Sequence, residues 1–171
     1  SGIEVGVPQV MGGAEADPMI QLDVIEAASR IESSAGWCLM IGAGSLANLA
    51  AFCPDDAIDD LFVGGKAPKT AGVFAPSGEA TPVDGGYRVS GRWAFGSGIR
   101  HSEWVSQGAM LPGDNPDSTQ QIRIVVPTAQ VEIHDNWDVI GLRGTGSCEY
   151  SMTGVFVPQR FTWGGNDAKP Y

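Results

Sequence analysis

Few side chains in this sequence are chemically reactive, and their spacing excludes most familiar sites. The two histidines, His101 and His134, lie far apart with no metal-ligand spacing. Cys38, Cys53 and Cys148 are odd in number, widely separated and free of any C-x-x-C pair. They imply neither a zinc site nor a disulfide framework, and each reads as a small buried hydrophobe. There is no Walker loop, no G-x-G-x-x-G fingerprint and no G-x-S-x-G nucleophile elbow. Gly85-Gly86 and Gly96-x-Gly98 are glycine signals of the turn kind, and the G-T-G-S at 144–147 has no helix after it to hold a phosphate. What remains is the stretch 84–111, DGGYRVSGRWAFGSGIRHSEWVSQGAML. Tyr87, Val89, Trp93 and Phe95 share one parity and Arg88, Ser90 and Arg92 the other, the alternation of a half-buried strand. That strand runs into Gly96-Ser97-Gly98, and glycine at a strand end lets another object approach the backbone closely. Trp93, Phe95, Gly96 and Ser97 suit a flat, polar-edged ligand such as a flavin, although plain β-sandwiches carry similar corners.

A second group sits on a helix. The run from Trp37 to Phe52 is apolar nearly all round, which predicts a buried helix, interrupted too soon by Ser45 and Asn48 to read as a membrane span. Trp37, Ile41, Ser45 and Asn48 fall on one of its faces. Buried polar groups need partners, either protein groups or a bound substrate, so Trp37, Ser45 and Asn48 are candidate substrate contacts. The balance of 20 acidic to 10 basic residues gives a net charge of −10, which disfavours nucleic acid and anionic membranes as partners. A phosphate-bearing cofactor would need a local cationic pocket, drawn from Arg92, Arg100, Arg143 and Lys69; singly, each also reads as a solvated surface cation.

The elements that must position these groups change character along the chain. Asp17-Pro18 starts an amphipathic helix, with an acidic cap and a proline where its missing N–H costs nothing. Ile20, Val24, Ala28 and Ile31 form its apolar stripe, and it ends about Ser33-Ser34. After the Trp37 helix, Pro54 leads into a short acidic helix over 55–62. From Ala71 onward short β-rich runs follow, read at 72–75, 86–95, 104–111, 121–126, 131–134 and 149–157, with an exposed loop at 112–117. The expectation is an α+β chain: helices to about residue 66, then an antiparallel β-barrel or sandwich. No N-terminal charged-then-apolar segment resembles a signal peptide, so a cytoplasmic location is expected.

Three blocks in this sequence resemble the acyl-CoA dehydrogenase superfamily, in that family's order. PQVMGGAEADPMIQLDVIEAASRIESSAGWCL is similar to the end of its N-terminal helical domain, GGYRVSGRWAFGSGIRHSEWV to the flavin strand of its middle β-domain, and IGLRGTGSCEYSMTGVFVP to that domain's closing strands. The resemblance is greatest to the two-component flavin-dependent monooxygenases. Ala75-Pro76-Ser77-Gly78-Glu79-Ala80 stands where dehydrogenases carry Thr-Glu-Pro and then Gly-Ser-Asp, and it is shorter. The resemblance implies FMN or FAD as cofactor, a separate flavin reductase, a small-molecule substrate and a homo-oligomer. It places Trp93 as a wall beside the flavin ring and Ser97 as the hydroxyl near its reactive nitrogen. In that branch the Trp37 helix contributes to the active-site wall, and some members carry histidine where Ser45 stands. It also divides the chain into a partial helical domain, 1–66, and a flavin-binding β-domain, 67–171. The family's C-terminal bundle, which supplies the catalytic acid or base, is expected beyond this segment, so the catalytic residue is unknown and the segment alone is expected to be inactive. An acyl-thioester dehydrogenase and a non-enzymatic β-module for ligand or partner binding are the alternative readings.

Overall fold

The structure, a computed structural model, describes residues 2–112 and 120–164. Helix α1 (Pro18–Ile31) begins as the sequence requires: the Asp17 carboxylate accepts from the Met19 N–H at 2.8 Å, with Pro18 in the first turn. The single residue Glu32, extended at φ −152°, separates it from α2 (Ser33–Phe52). Ser33 and Ser34 therefore open a helix rather than close one. The reason is local: the Glu32 carboxylate accepts from the Ala35 N–H at 2.6 Å and caps α2. Those backbone bonds hold its carboxyl below the usual range. A short α3 (Asp55–Leu61) follows.

Helix α2 is long and apolar enough to cross a bilayer, yet Leu46, Leu49 and Ala50 are fully buried in the protein core. Two hydrogen bonds fasten it to the first strand, from Thr70 Oγ1 to the Gly42 carbonyl (3.0 Å) and from Ser45 Oγ to the Ala71 carbonyl (3.1 Å). Its apolar character is that of a core helix.

The strands are β1 (Thr70–Val83), β2 (Gly86–Gly96), β3 (Trp104–Leu111), β4 (Gln120–Pro127), β5 (Glu132–Ile133), β6 (Cys148–Pro158) and β7 (Thr162–Gly164). They form one sheet in the order β5-β6-β2-β1-β3-β4-β7. The expected antiparallel barrel or sandwich needs correction on two points. The sheet is mixed, because β1 and β3 are parallel, with Thr70 opposite Trp104 and Ala71 opposite Val105. It is also open, with the short β5 and β7 at its two edges. The chain leaves β2 at the end of the sheet where β1 begins. It turns through Gly98, at φ 74°, and one turn of 3-10 helix (Ile99–His101), and re-enters beside β1. Strand β2 is thus part of the crossover that a parallel pair requires. Apolar alternation is the same for either strand direction, so the pattern carries no trace of this. β7 went unread, and of the loop read at 112–117 only Pro112 lies within the described residues.

One aromatic pair anchors the sheet core. Trp93 stacks on Tyr150 of the neighbouring β6 with ring centroids 5.5 Å apart and planes 14° from parallel. Its Nε1 donates to the Gly108 carbonyl at 2.8 Å. Room for the indole is made by Gly78 and Gly91, opposite each other on β1 and β2. A Cβ at Gly78 would lie 2.2 Å from the Trp93 ring.

Candidate functional site

Strand β2 delivers Phe95, and the turn that follows it Ser97, to the end of the sheet against the first turns of α2. There a pocket of about 140 Å³ is lined by Trp37, Phe95, Ser97, Trp137, Leu142, Thr145 and Ser147. No charged side chain lines it. Its volume is well below the few hundred Å³ of a complete cofactor site, so it can take the edge of a ring system and leave the rest outside.

Its walls are held by one hydrogen-bonded chain. Trp37 Nε1 donates to Ser97 Oγ at 3.0 Å, and Ser97 and Ser147 share a hydrogen bond of 2.8 Å. Ser147 and Thr145 share one of 2.6 Å, and Thr145 Oγ1 donates to the Leu142 carbonyl at 2.9 Å. That carbonyl also receives Trp137 Nε1 at 3.2 Å. The two indoles are therefore the ends of a single chain through three side-chain hydroxyls. The loop carrying it is tightly wound, with Leu142 (φ 56°) and Gly146 (φ 52°) both left-handed. The Thr145 carbonyl accepts the Gly98 N–H at 3.0 Å and so ties this loop to the end of β2.

Phe95 is the strained member. It has φ 65°, a conformation that costs a non-glycine residue about 1–3 kcal/mol. Its ring is 68 % exposed and meets Trp137 edge-on, with centroids 6.2 Å apart and planes at 88°. A strained, exposed phenyl ring beside a half-buried hydroxyl-lined cleft is poorly explained by packing, and it presents a flat apolar face to whatever enters.

The residues singled out from sequence separate into two groups. Phe95, Ser97 (5 % exposed) and Trp37 (40 % exposed) come together in the pocket, although Trp37 and Ser97 lie far apart in the chain. Trp93, expected as a wall beside the ligand, does not line this pocket. Its side chain is 0 % exposed and stacked on Tyr150. The absent side chain of Gly96 makes room for β6, since a Cβ there would come within 3.0 Å of the Cys148 carbonyl and the Tyr150 ring. Ser45 and Asn48 share the helix face of Trp37 but lie two and three turns further on, about 12 and 16 Å along the axis, and do not line the pocket. Ser45 is satisfied by the Ala71 carbonyl, and Asn48 Oδ1 is buried without a partner.

The remaining candidates lie outside this pocket. Arg92 pairs with Glu149, holding that carboxyl below its usual range, while Arg100 pairs with Asp135 at 2.5 Å and Arg143 with Asp138 at 3.5 Å. Lys69 is exposed, and its backbone N–H donates to the Glu103 carboxylate. His134 Nε2 bonds Ser151 Oγ at 2.9 Å, and burial pushes the Cys53 thiol up to about 12, as suits an inert core residue. Trp137, Leu142, Thr145 and Ser147 were missed. The G-T-G-S run was weighed only as a phosphate loop, and no local pattern connects it to Ser97.

No known family profile matches the sequence. Individual relatives do. The chain is 34 % identical over 157 residues to the pigment production hydroxylase of Rhodococcus erythropolis, covering 88 % of this chain and 39 % of that protein. It is 32 % identical over 151 residues to the flavin-dependent monooxygenase oxygenase subunit HsaA of Rhodococcus jostii, covering 88 % of this chain and 39 % of that one. Among solved structures, XiaF from Streptomyces sp. in complex with FADH2 and glycerol superposes with a TM-score of 0.87 at 29 % identity, over 96 % of this chain and 41 % of that chain. The chain thus spans about two fifths of the length of the curated relatives it matches. Over that segment it is homologous to the oxygenase subunits of flavin-dependent monooxygenases and shares their fold.

Proposed function

We propose that this chain is the flavin-binding segment of the oxygenase component of a flavin-dependent monooxygenase, on the acyl-CoA dehydrogenase type of fold. The observation that carries the reading is the uncharged pocket formed by Trp37, Phe95, Ser97 and Trp137 at the end of β2. It offers flat apolar walls and a partly satisfied hydroxyl, which match the neutral, nitrogen-bearing edge of an isoalloxazine. The homology to a flavin-dependent oxygenase subunit and the FADH2 complex of a structural neighbour support it. In this reading residues 1–66 belong to a helical domain and 67–171 to the flavin-binding domain, and reduced flavin comes from a separate reductase. A homo-oligomer would cover Met19, Ile20, Leu22 and Ile31, which α1 leaves exposed.

The flavin would supply the electrons that activate oxygen. This chain's residues would do three things. Phe95 and Trp137 form apolar walls for the ring edge. Ser97 meets its polar rim. The Trp37 indole, tethered to Ser97, keeps water from that hydroxyl. An apolar surround of this kind strengthens each hydrogen bond made within it.

Titration of the chain with FMN or FAD should give saturable quenching of tryptophan fluorescence, with a dissociation constant on the order of ~10 µM or weaker, equivalent to nearly 7 kcal/mol. Ser97→Ala should weaken binding by about 1 kcal/mol, the usual worth of one neutral hydrogen bond. A folded chain showing no saturable change up to ~1 mM flavin would sink the proposal.

A further inference from the structure

A buried guanidinium is costly unless an anion answers it. Arg123, on β4, is 8 % exposed, and among the described residues no carboxylate pairs with it. Burial draws its pKa down to about 10, so it still carries its charge at neutral pH. Nη1 donates to the Val73 carbonyl at 2.9 Å and Nη2 to Ser106 Oγ at 3.0 Å, while Nε is buried with no partner. Ser106 is buried as well, and its own proton finds no acceptor among the described residues. The two bonds that Arg123 makes ask only for N–H donors, which a neutral amide also carries. Its charge therefore adds a burial cost that these contacts do not explain.

The pair lies on the face of the sheet that α2 covers. Gly72 and Ser106 are opposite each other on the parallel strands β1 and β3, and a Cβ at Gly72 would lie 2.8 Å from Ser45 Oγ of α2. Trp37, in the first turns of that helix, walls the pocket described above. Just beyond Gly72, β1 bulges, with residues 74–77 set against the single residue 108 of β3. The bulge lays Phe74 over the guanidinium, with Cζ 4.3 Å from the ring centroid. That ring is 59 % exposed, so the buried charge is covered by a side chain that solvent leaves free to turn.

We infer that Arg123 and Ser106 form an anion-recognition site that takes the carboxylate of a small organic acid when Phe74 turns aside, and so selects acidic substrates. This rests on the reading of the chain as part of an oxygenase and names the class of substrate for it. A carboxylate has two oxygens with which to accept from Nε and from the Ser106 hydroxyl. One monoanion also balances the one cation, whereas a phosphate dianion would leave an excess charge in a chain already at −10.

The test uses benzoate and its uncharged isostere benzamide, added without flavin and at constant ionic strength to a nitrogen-labelled chain. The reporter is the Arg123 Nε–H resonance, assigned by its loss in Arg123→Gln. Benzoate should shift it saturably, with a dissociation constant on the order of ~1 mM, and benzamide should bind about tenfold more weakly or worse, as expected for a hydrogen bond to a charged group. Arg123→Gln should abolish the preference, and Arg123→Lys should keep part of it. Ser106→Ala should weaken benzoate about fivefold and leave benzamide little changed. It serves as the test if the Arg123 variants prove unfolded by circular dichroism. A purely structural clamp predicts that neither probe moves the Nε signal, and that result overturns the inference. A preference for benzoate that survives Arg123→Gln overturns it too, as does a response to inorganic phosphate in place of benzoate. The FMN titration tests the oxygenase reading separately: benzoate binding without flavin binding keeps the anion site and sinks that reading, and flavin binding without a benzoate response does the reverse.

Discussion

Trp93→Ala should be the most damaging single substitution on β2, costing about 3–5 kcal/mol of folding stability. The indole is fully buried, stacked on Tyr150 and hydrogen-bonded through Nε1 to the Gly108 carbonyl. Truncation would leave a cavity between β1, β2 and β6 and an unsatisfied carbonyl on β3. Gly78 and Gly91 have no side chains with which to fill it. Urea unfolding monitored by circular dichroism measures the loss, and a domain of marginal stability would show it as an unfolded or aggregated chain. A stable Trp93→Ala chain that had lost only ligand affinity would restore the indole to the ligand site and contradict its assignment to the core.

Two residues further along the same strand, the opposite pattern is expected. Phe95→Gly should lower flavin affinity by about tenfold or more, because it removes an exposed aromatic wall. Stability should hold or rise by up to about 1 kcal/mol, because glycine adopts φ 65° without strain. Paired titration and urea curves separate these effects. Loss of stability with unchanged affinity would show that the Phe95 contact with Trp137 serves only packing.

The contrast between these neighbours shows how far local pattern reaches. Period-2 alternation places Trp93 and Phe95 on the same side of a strand, and a regular strand would keep them there. The left-handed turn at Phe95 breaks the alternation, and no residue-type signal announces it because phenylalanine disfavours that conformation. The helices were legible where capping chemistry is explicit, as at Asp17, and were misjudged where a glutamate performs the capping, as at Glu32. Most strands were legible, but β1 runs on to Val83 where only 72–75 was read, and the parallel direction of β3 and the open edges left no trace, since both depend on where a crossover lands. In the site, Trp37, Phe95 and Ser97 could be found singly. Thr145 and Ser147 could not, because a hydroxyl chain linking residues far apart in sequence leaves no periodicity or spacing to read.

The most direct test of the pocket assignment uses the five tryptophans as reporters, at positions 37, 93, 104, 137 and 163. In a nitrogen-labelled chain each indole N–H gives its own resonance. On titration with FMN the Trp37 and Trp137 signals should move together, with one saturation curve, since both indoles line the pocket and end its hydrogen-bonded chain. Trp93, sealed in the core, and Trp104 and Trp163, on β3 and β7, should stay in place. Movement of Trp104 or Trp163 with Trp37 and Trp137 unmoved would put the flavin elsewhere on the chain and contradict the account.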